Sequence, residues 1–87
     1  MMQADHQLDT RGLRCPLPIL RCKKALAELS PSQVLKILAT DPGATKDFHT
    51  FCQQTGHQML HFEESSELDE AGGSRPLFIF FIQKKAT

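Results

Sequence analysis

Arg11-Gly12-Leu13-Arg14-Cys15-Pro16-Leu17-Pro18 sets a glycine turn, a cysteine and two prolines between a short polar segment and an amphipathic one. Glycine punctuates the chain and proline opens helices, so this stretch predicts a junction where a strand ends and a helix begins. A proline biases the residue before it toward extended angles, and its own fixed φ suits the first helical position, which makes Cys15 the expected N-cap. Pro16 and Pro18 have no N–H, so among the free donors of a helix start those of Cys15 and Leu17 remain beside the sulfur. A thiolate there would feel the positive end of the helix dipole and the charges of Arg11 and Arg14, conditions that lower a thiol's pKa. The expectation is one reactive sulfur. The alternative is a cysteine that acts as a small buried hydrophobe ahead of a proline-started helix.

Outward from this junction, Ile19, Cys22, Leu26 and Leu29 fall on one stripe of residues 16–29, with Arg21, Lys24 and Glu28 opposite, which predicts an amphipathic helix closed by Ser30-Pro31. Cys22 lies two turns from Cys15, about 10 Å along an intact helix. A disulfide needs Cα atoms within about 7 Å, so Cys22 reads as core rather than as a resolving thiol. Upstream, residues 4–9 have Leu8 as their only large apolar side chain, and their place before the Gly12 turn supports a short strand. Downstream, Val-Leu-Lys-Ile-Leu-Ala-Thr at 34–40 is a strand covered on at least one face.

Asp41-Pro42-Gly43 then turns the chain, and Ala44, Phe48, Phe51, Cys52 and Thr55 repeat at helical spacing, with Gly56 as C-cap and either Asp41 or Thr45 as N-cap. Cys52 reads as packing, with a partly exposed, oxidisable thiol as its alternative. Residues 59–63 and 77–84 predict two further strands. The acidic, glycine-rich stretch at about 65–75 predicts a mobile hairpin connection.

The order β-α-β-α-β-β predicts an α+β fold, a single domain over 1–87: a two-layer α/β sandwich with a mixed four-stranded sheet and both helices on one face. Such a fold leaves one sheet face open, yet Leu77-Phe78-Ile79-Phe80-Phe81-Ile82 is apolar on both sides. A homodimer or a docked partner on that face is one expectation. A buried central strand position is the other.

The first ten residues lack the apolar core of a signal peptide, and no apolar run approaches the ~20 residues of a membrane span, so a cytoplasmic protein with reduced thiols is expected. Ten basic and ten acidic residues cancel, but Arg11, Arg14, Arg21, Lys23 and Lys24 surround the cysteine motif, while Glu63, Glu64, Glu67, Asp69 and Glu70 form an acidic counterpart. This polarity suits steering toward an acidic protein partner, with two ordinary solvated faces as the alternative; no direct nucleic-acid partner is expected. His6, His49, His57 and His61 lack zinc-site spacing and no Cys-x-x-Cys is present, so no metal is expected. Gly43 and Gly72-Gly73 lack the context of a phosphate loop, and no cofactor is expected. A lone activated cysteine without an acid/base pair has one reaction open to it, thiolate attack on another sulfur.

The chain resembles the TusA/SirA-like sulfur-carrier family from about Leu8 to Lys84. Leu8-Asp9-Thr10-Arg11-Gly12-Leu13-Arg14-Cys15-Pro16-Leu17-Pro18 carries the family's CPxP motif, and Asp41-Pro42-Gly43-Ala44-Thr45-Lys46-Asp47 followed by Phe51-Cys52 resembles its second-helix entrance. The resemblance implies a sandwich similar to the C-terminal domain of a bacterial translation initiation factor, with Cys15 carrying sulfane sulfur as a persulfide. It implies that Pro16 and Pro18 hold the helix start, that Lys23 and Lys24, with Arg21 beside them, face a partner, and that sulfur arrives from a cysteine desulfurase or rhodanese-type donor. The sulfur then passes to a relay protein, toward tRNA thiolation, molybdenum cofactor or sulfur oxidation. Two positions depart from the family: Leu17 stands where the best-known carriers have an acid, removing a charge that would oppose a thiolate, and Cys22 lies in a stretch usually apolar or basic. Other readings are a regulatory or RNA-binding module, suggested by the initiation-factor-like fold, and a redox sensor pairing Cys15 with Cys22 or Cys52.

Overall fold

The computed structural model describes residues 3–86; of the domain expected over 1–87, Met1, Met2 and Thr87 lie outside the described residues. The elements follow the expected order: β1 (His6–Thr10), α1 (Leu17–Ala27), β2 (Val34–Ala39), α2 (Ala44–Thr55), β3 (Gln58–Leu68) and β4 (Ser74–Gln83). They form one four-stranded sheet in the order β1-β2-β4-β3, parallel between β1 and β2 and antiparallel elsewhere. α1 packs over β1 and β2, and α2 over β3 and β4. This is the expected α+β sandwich with a mixed sheet.

The strand period of two decides which residues meet the helices. In β2, Leu35, Ile37 and Ala39 are fully buried, while Val34, Lys36 and Leu38 between them are half-buried. Ile37 pairs in register with Leu8 of β1 and Phe80 of β4. Phe80 lies at the centre, its ring 4.6 Å from that of Phe48 on α2 and 5.2 Å from that of Phe62 on β3. α1 adds Cys22 and Leu26 from its apolar stripe, with Pro18 buried on the same stripe one turn earlier.

Two hydrogen bonds fix the end of β1 to the end of β2. The buried Thr10 hydroxyl donates to the Leu38 carbonyl at 2.6 Å, and the Gly12 N–H donates to the Thr40 hydroxyl at 2.9 Å. Gly12 takes a φ of 81°, which lets the chain turn there from strand toward α1.

Several expected boundaries shift. Pro16, not Cys15, is the N-cap of α1, with φ −97° and ψ 15°. The Leu17 N–H, expected to be free beside the sulfur, donates to the Arg14 carbonyl at 2.8 Å. α1 ends at Ala27, after which Glu28 and Leu29 continue in a tighter turn bonded to the Ala25 and Leu26 carbonyls. Gly43, rather than Asp41 or Thr45, caps α2, and Asp41 contributes its backbone carbonyl to the Ala44 N–H. Gly56 closes α2 as expected, at φ 87° with its N–H on the Cys52 carbonyl.

The connection expected at about 65–75 is mostly ladder. Ser65 pairs with Leu77, Ser66 with Pro76, Glu67 with Arg75 and Leu68 with Ser74, leaving 69–73 as the turn. Charge rather than apolar packing holds this extension, because Arg75 binds Glu67 at 2.7–2.8 Å and Arg11 reaches the same carboxylate at 3.1 Å. The Asp69 carboxylate accepts the N–H groups of Ala71 and Gly73, closing the turn.

On the open sheet face, Phe81 is only 7% exposed. The Lys36 ammonium lies 5.7 Å from its ring centroid and the His61 ring 5.9 Å, so neighbouring strands cover it with their own amphipathic side chains. Leu38, Leu77 and Ile79 are half-buried beside it.

Two substitutions test this architecture by urea unfolding. Phe80→Ala should cost about 3–5 kcal/mol, because the site between Phe48 and Phe62 cannot collapse fully. Gly56→Ala should cost about 1–2 kcal/mol through its left-handed backbone alone, since an added Cβ would meet only the Lys85 side chain at an ordinary 3.6 Å.

Candidate functional site

The β1-to-α1 loop delivers Cys15 to the mouth of a groove between the two helices. The groove has a volume of about 420 Å³ and runs between Pro16, Ile19 and Lys23 on the α1 side and Lys46, Asp47, Thr50 and Phe51 on α2. Cys15 is exposed, and the peptide bond to Pro16 is cis. Ile19 and Phe51 give the groove an apolar floor. Leu17 and Leu20 of α1 are exposed, at 43% and 51%, outside the groove lining.

The electrostatics differ from the expectation. The Asp47 carboxylate lines the same groove as Cys15 and pushes the thiol's pKa up, with a smaller push from the charge of Asp41. Both carboxylates lie beside Gly43, where an added Cβ would make ordinary contacts, 3.4 Å to Asp41 Oδ2 and 3.7 Å to Asp47 Oδ2. Arg11, expected to favour a thiolate, is turned away. Its guanidinium binds Asp9 at 2.9 Å, which holds that carboxyl below the usual range, and Glu67 at 3.1 Å, whose carboxyl is held low chiefly by Arg75 with Arg11 adding to it. Arg14 is exposed and forms no ion pair among the described residues.

The basic residues of α1 divide between two faces. Lys23 lines the Cys15 groove, whereas Arg21 and Lys24 line a separate depression on the far side of α1 with His6, Gln7 and Leu8. The other two thiols are buried. Burial pushes the Cys22 thiol up to about 12, with Cys52 adding to it, and the Cys52 thiol up to about 11. No cluster of three or more His, Cys, Asp or Glu able to hold a metal occurs among the described residues, and no helix is long and apolar enough to cross a membrane.

Composition and spacing did not single out Asp47 as a neighbour of the sulfur. Its one signal was membership of the second motif, residues 41–47, which stands opposite Cys15 across the groove. Leu20 was also missed, because it lies off the apolar stripe and its exposure follows only from where α1 meets the sheet.

Comparison with known proteins agrees with this geometry. A sulfur carrier protein TusA from Allochromatium vinosum is 48% identical over 97% of this chain and 99% of its own length. A putative sulfur carrier protein from Neisseria meningitidis serogroup A is 60% identical over 66% of this chain and 77% of its own. The crystal structure of a SirA-like protein from Desulfitobacterium hafniense superposes with a TM-score of 0.56 at 25% identity, covering 86% of this chain and 95% of that one. The family model described as sulfurtransferase TusA matches residues 6–73, and the chain belongs to that family.

Proposed function

We propose that this chain is a sulfur carrier that holds sulfane sulfur on Cys15 as a persulfide and works in the cytoplasm between a donor and an acceptor protein. Membership of the TusA family supports a role in carrying sulfur, and with it partners in a sulfur relay. The observation that carries the finer reading is the contrast among the three thiols: Cys15 alone is exposed, at the mouth of an open groove, while Cys22 and Cys52 are buried. The burial of those two also argues against a disulfide sensor pairing either one with Cys15.

In the loading step the Cys15 sulfur attacks the outer sulfur of a persulfide on a cysteine desulfurase or rhodanese-type donor. The donor's S–S bond breaks, a new S–S bond forms on Cys15, and the donor cysteine leaves with the electron pair and takes up the proton that Cys15 gives up. Discharge is the same exchange with an acceptor thiol as attacking group. Pro16 and Pro18 hold the helix start on which the thiol is presented, and Arg14, Lys23, Leu17 and Leu20 form the surface that a partner meets. Arg21 and Lys24 face away from the groove and serve, in this reading, a partner large enough to span α1. A homodimer through the open sheet face would displace Lys36 and His61 from Phe81, so the Cys15 end is the preferred contact surface.

Two measurements check this reading. Incubation with a cysteine desulfurase and cysteine, read by intact mass, should add sulfur to the wild type and none to Cys15→Ser; equal labelling of both would overturn it. Native alkylation at pH 7 should modify Cys15 alone, with Cys22 and Cys52 reacting only after denaturation, because burial keeps both protonated.

A further inference from the structure

The groove at Cys15 continues past the thiol. A second depression of about 290 Å³ lies between the carboxyl ends of the two helices, lined by Lys23, Leu26, Phe51, His57, Lys84 and Lys85. Lys23, Phe51 and Thr55 line both depressions, which join into one trench from Cys15 to the lysines just past β4. Along α2 the trench passes from Asp47 to Thr55, about 12 Å at the helical rise. Lys23, Lys46, Lys84 and Lys85 line it against a single carboxylate, Asp47, and none of these lysines forms an ion pair among the described residues. Two of them are held in place. The Lys84 ammonium donates to the Leu29 carbonyl just past α1, and the Lys85 ammonium donates to the Thr55 carbonyl at the end of α2, at 3.0 Å. A helix end carries roughly half a negative charge, less than the full charge of the lysine upon it, so this end of the trench stays positive. The depression on the far side of α1 differs, because Glu28 lines it beside Arg21 and Lys24.

We infer that this trench docks an extended, acidic segment of the partner protein, with the partner's reacting cysteine at Cys15 and its carboxylates over Lys23, Lys84 and Lys85. This rests on the sulfur-carrier reading and names the kind of partner it requires. An extended chain covers about 3.3 Å per residue, so the trench spans about four residues and the carboxylates lie about four to five positions from the cysteine. A segment that short has no stable helix of its own in water. Its apolar side chains meet Ile19 and Phe51, and its acids meet ammoniums that have no other carboxylate partner. The same four lysines repel a basic segment. Exposed ion pairs are individually weak, so the lysines select the segment and orient its cysteine more than they hold the complex together.

The test titrates the full chain, labelled for NMR, with short synthetic peptides at low salt. The acidic peptide has serine at one end in place of the cysteine, leucine and alanine next to it, and two glutamates beginning four positions on; its reversed sequence covers the opposite chain direction. One control replaces both glutamates by glutamine and another by lysine. One direction of the acidic peptide should shift the amide signals of Lys23, Phe51, Thr55 and Lys85 along a single saturation curve. The glutamine peptide should bind about 3- to 10-fold more weakly, the effect of two partly exposed ion pairs, and the lysine peptide more weakly still. Added salt should remove the difference. Lys84→Gln and Lys85→Gln, made singly and each checked for an intact fold by its own spectrum, should weaken the acidic peptide about two- to threefold, while Lys36→Gln on the open sheet face should not. The peptide comparison on wild type needs no variant. Equal binding of the acidic and glutamine peptides, or shifts confined to the far side of α1 or to the open sheet face, would overturn the inference. Inorganic sulfate shifting the same amides at the same concentration would reduce the trench to an anion patch and overturn it too. The peptides hold no sulfur, so docking can fail while a desulfurase still labels Cys15, and the reverse.

Discussion

The parallel pairing of β1 with β2 brings the carboxyl ends of both strands to one edge of the sheet, and everything at the candidate site depends on it. Each of these strands is followed by a helix, so both helix starts lie at that edge, one carrying Cys15 and the other Asp47. A parallel pair needs a crossover, and here α1 supplies it over the face where Leu35, Ile37 and Ala39 require cover. The thiol and the carboxylate are 32 positions apart in the chain. The register of Thr10 with Ala39, secured by the Thr10 hydroxyl on the Leu38 carbonyl, is what makes them neighbours.

The same edge explains why the expected activation of the thiol gives way to its opposite. The helix dipole amounts to roughly half a charge and fades within the first turn, and Cys15 stands one residue outside the N-cap of α1. A full charge on Asp47, which lines the same groove, outweighs it. Arg11 could have tilted the balance back, but Glu67 lies within its reach because the β3–β4 ladder extends past the end of β2. One ion pair thus has two effects, anchoring the hairpin against β1 and withdrawing a cation from the sulfur.

Local periodicity made most of the fold legible. The apolar stripe of α1, the apolar run of β2 and the Gly56 stop each depend on neighbours within a few residues, and each appears where its pattern put it. The 65–75 stretch misled because its serines, acids and glycines suit a loop, whereas its strand pairing rests on Arg75 and Arg11 reaching Glu67, one of them 56 residues away. Cys15 was legible as the exposed thiol because proline and glycine mark its loop directly. Its electrostatic surroundings were not, since the arginines adjacent in sequence are spatially engaged elsewhere or in solvent, and the nearest acid comes from another helix.

The apolar run of β4 shows how a two-layer fold handles a strand with no polar face. Phe78, Phe80 and Ile82 point to the helices and need no further partner. On the other side, Phe81 is shielded by the stem of Lys36 and the ring of His61, side chains with enough apolar body to cover a ring while their polar ends stay in water. β4 lies centrally between β2 and β3, buried on its helix face and partly covered on the other. Phe80 fixes Phe48 on α2, Phe48 is one position from Asp47, and so the carboxylate that meets Cys15 is held in place by a core built on the strand that at first sight had too much apolar surface.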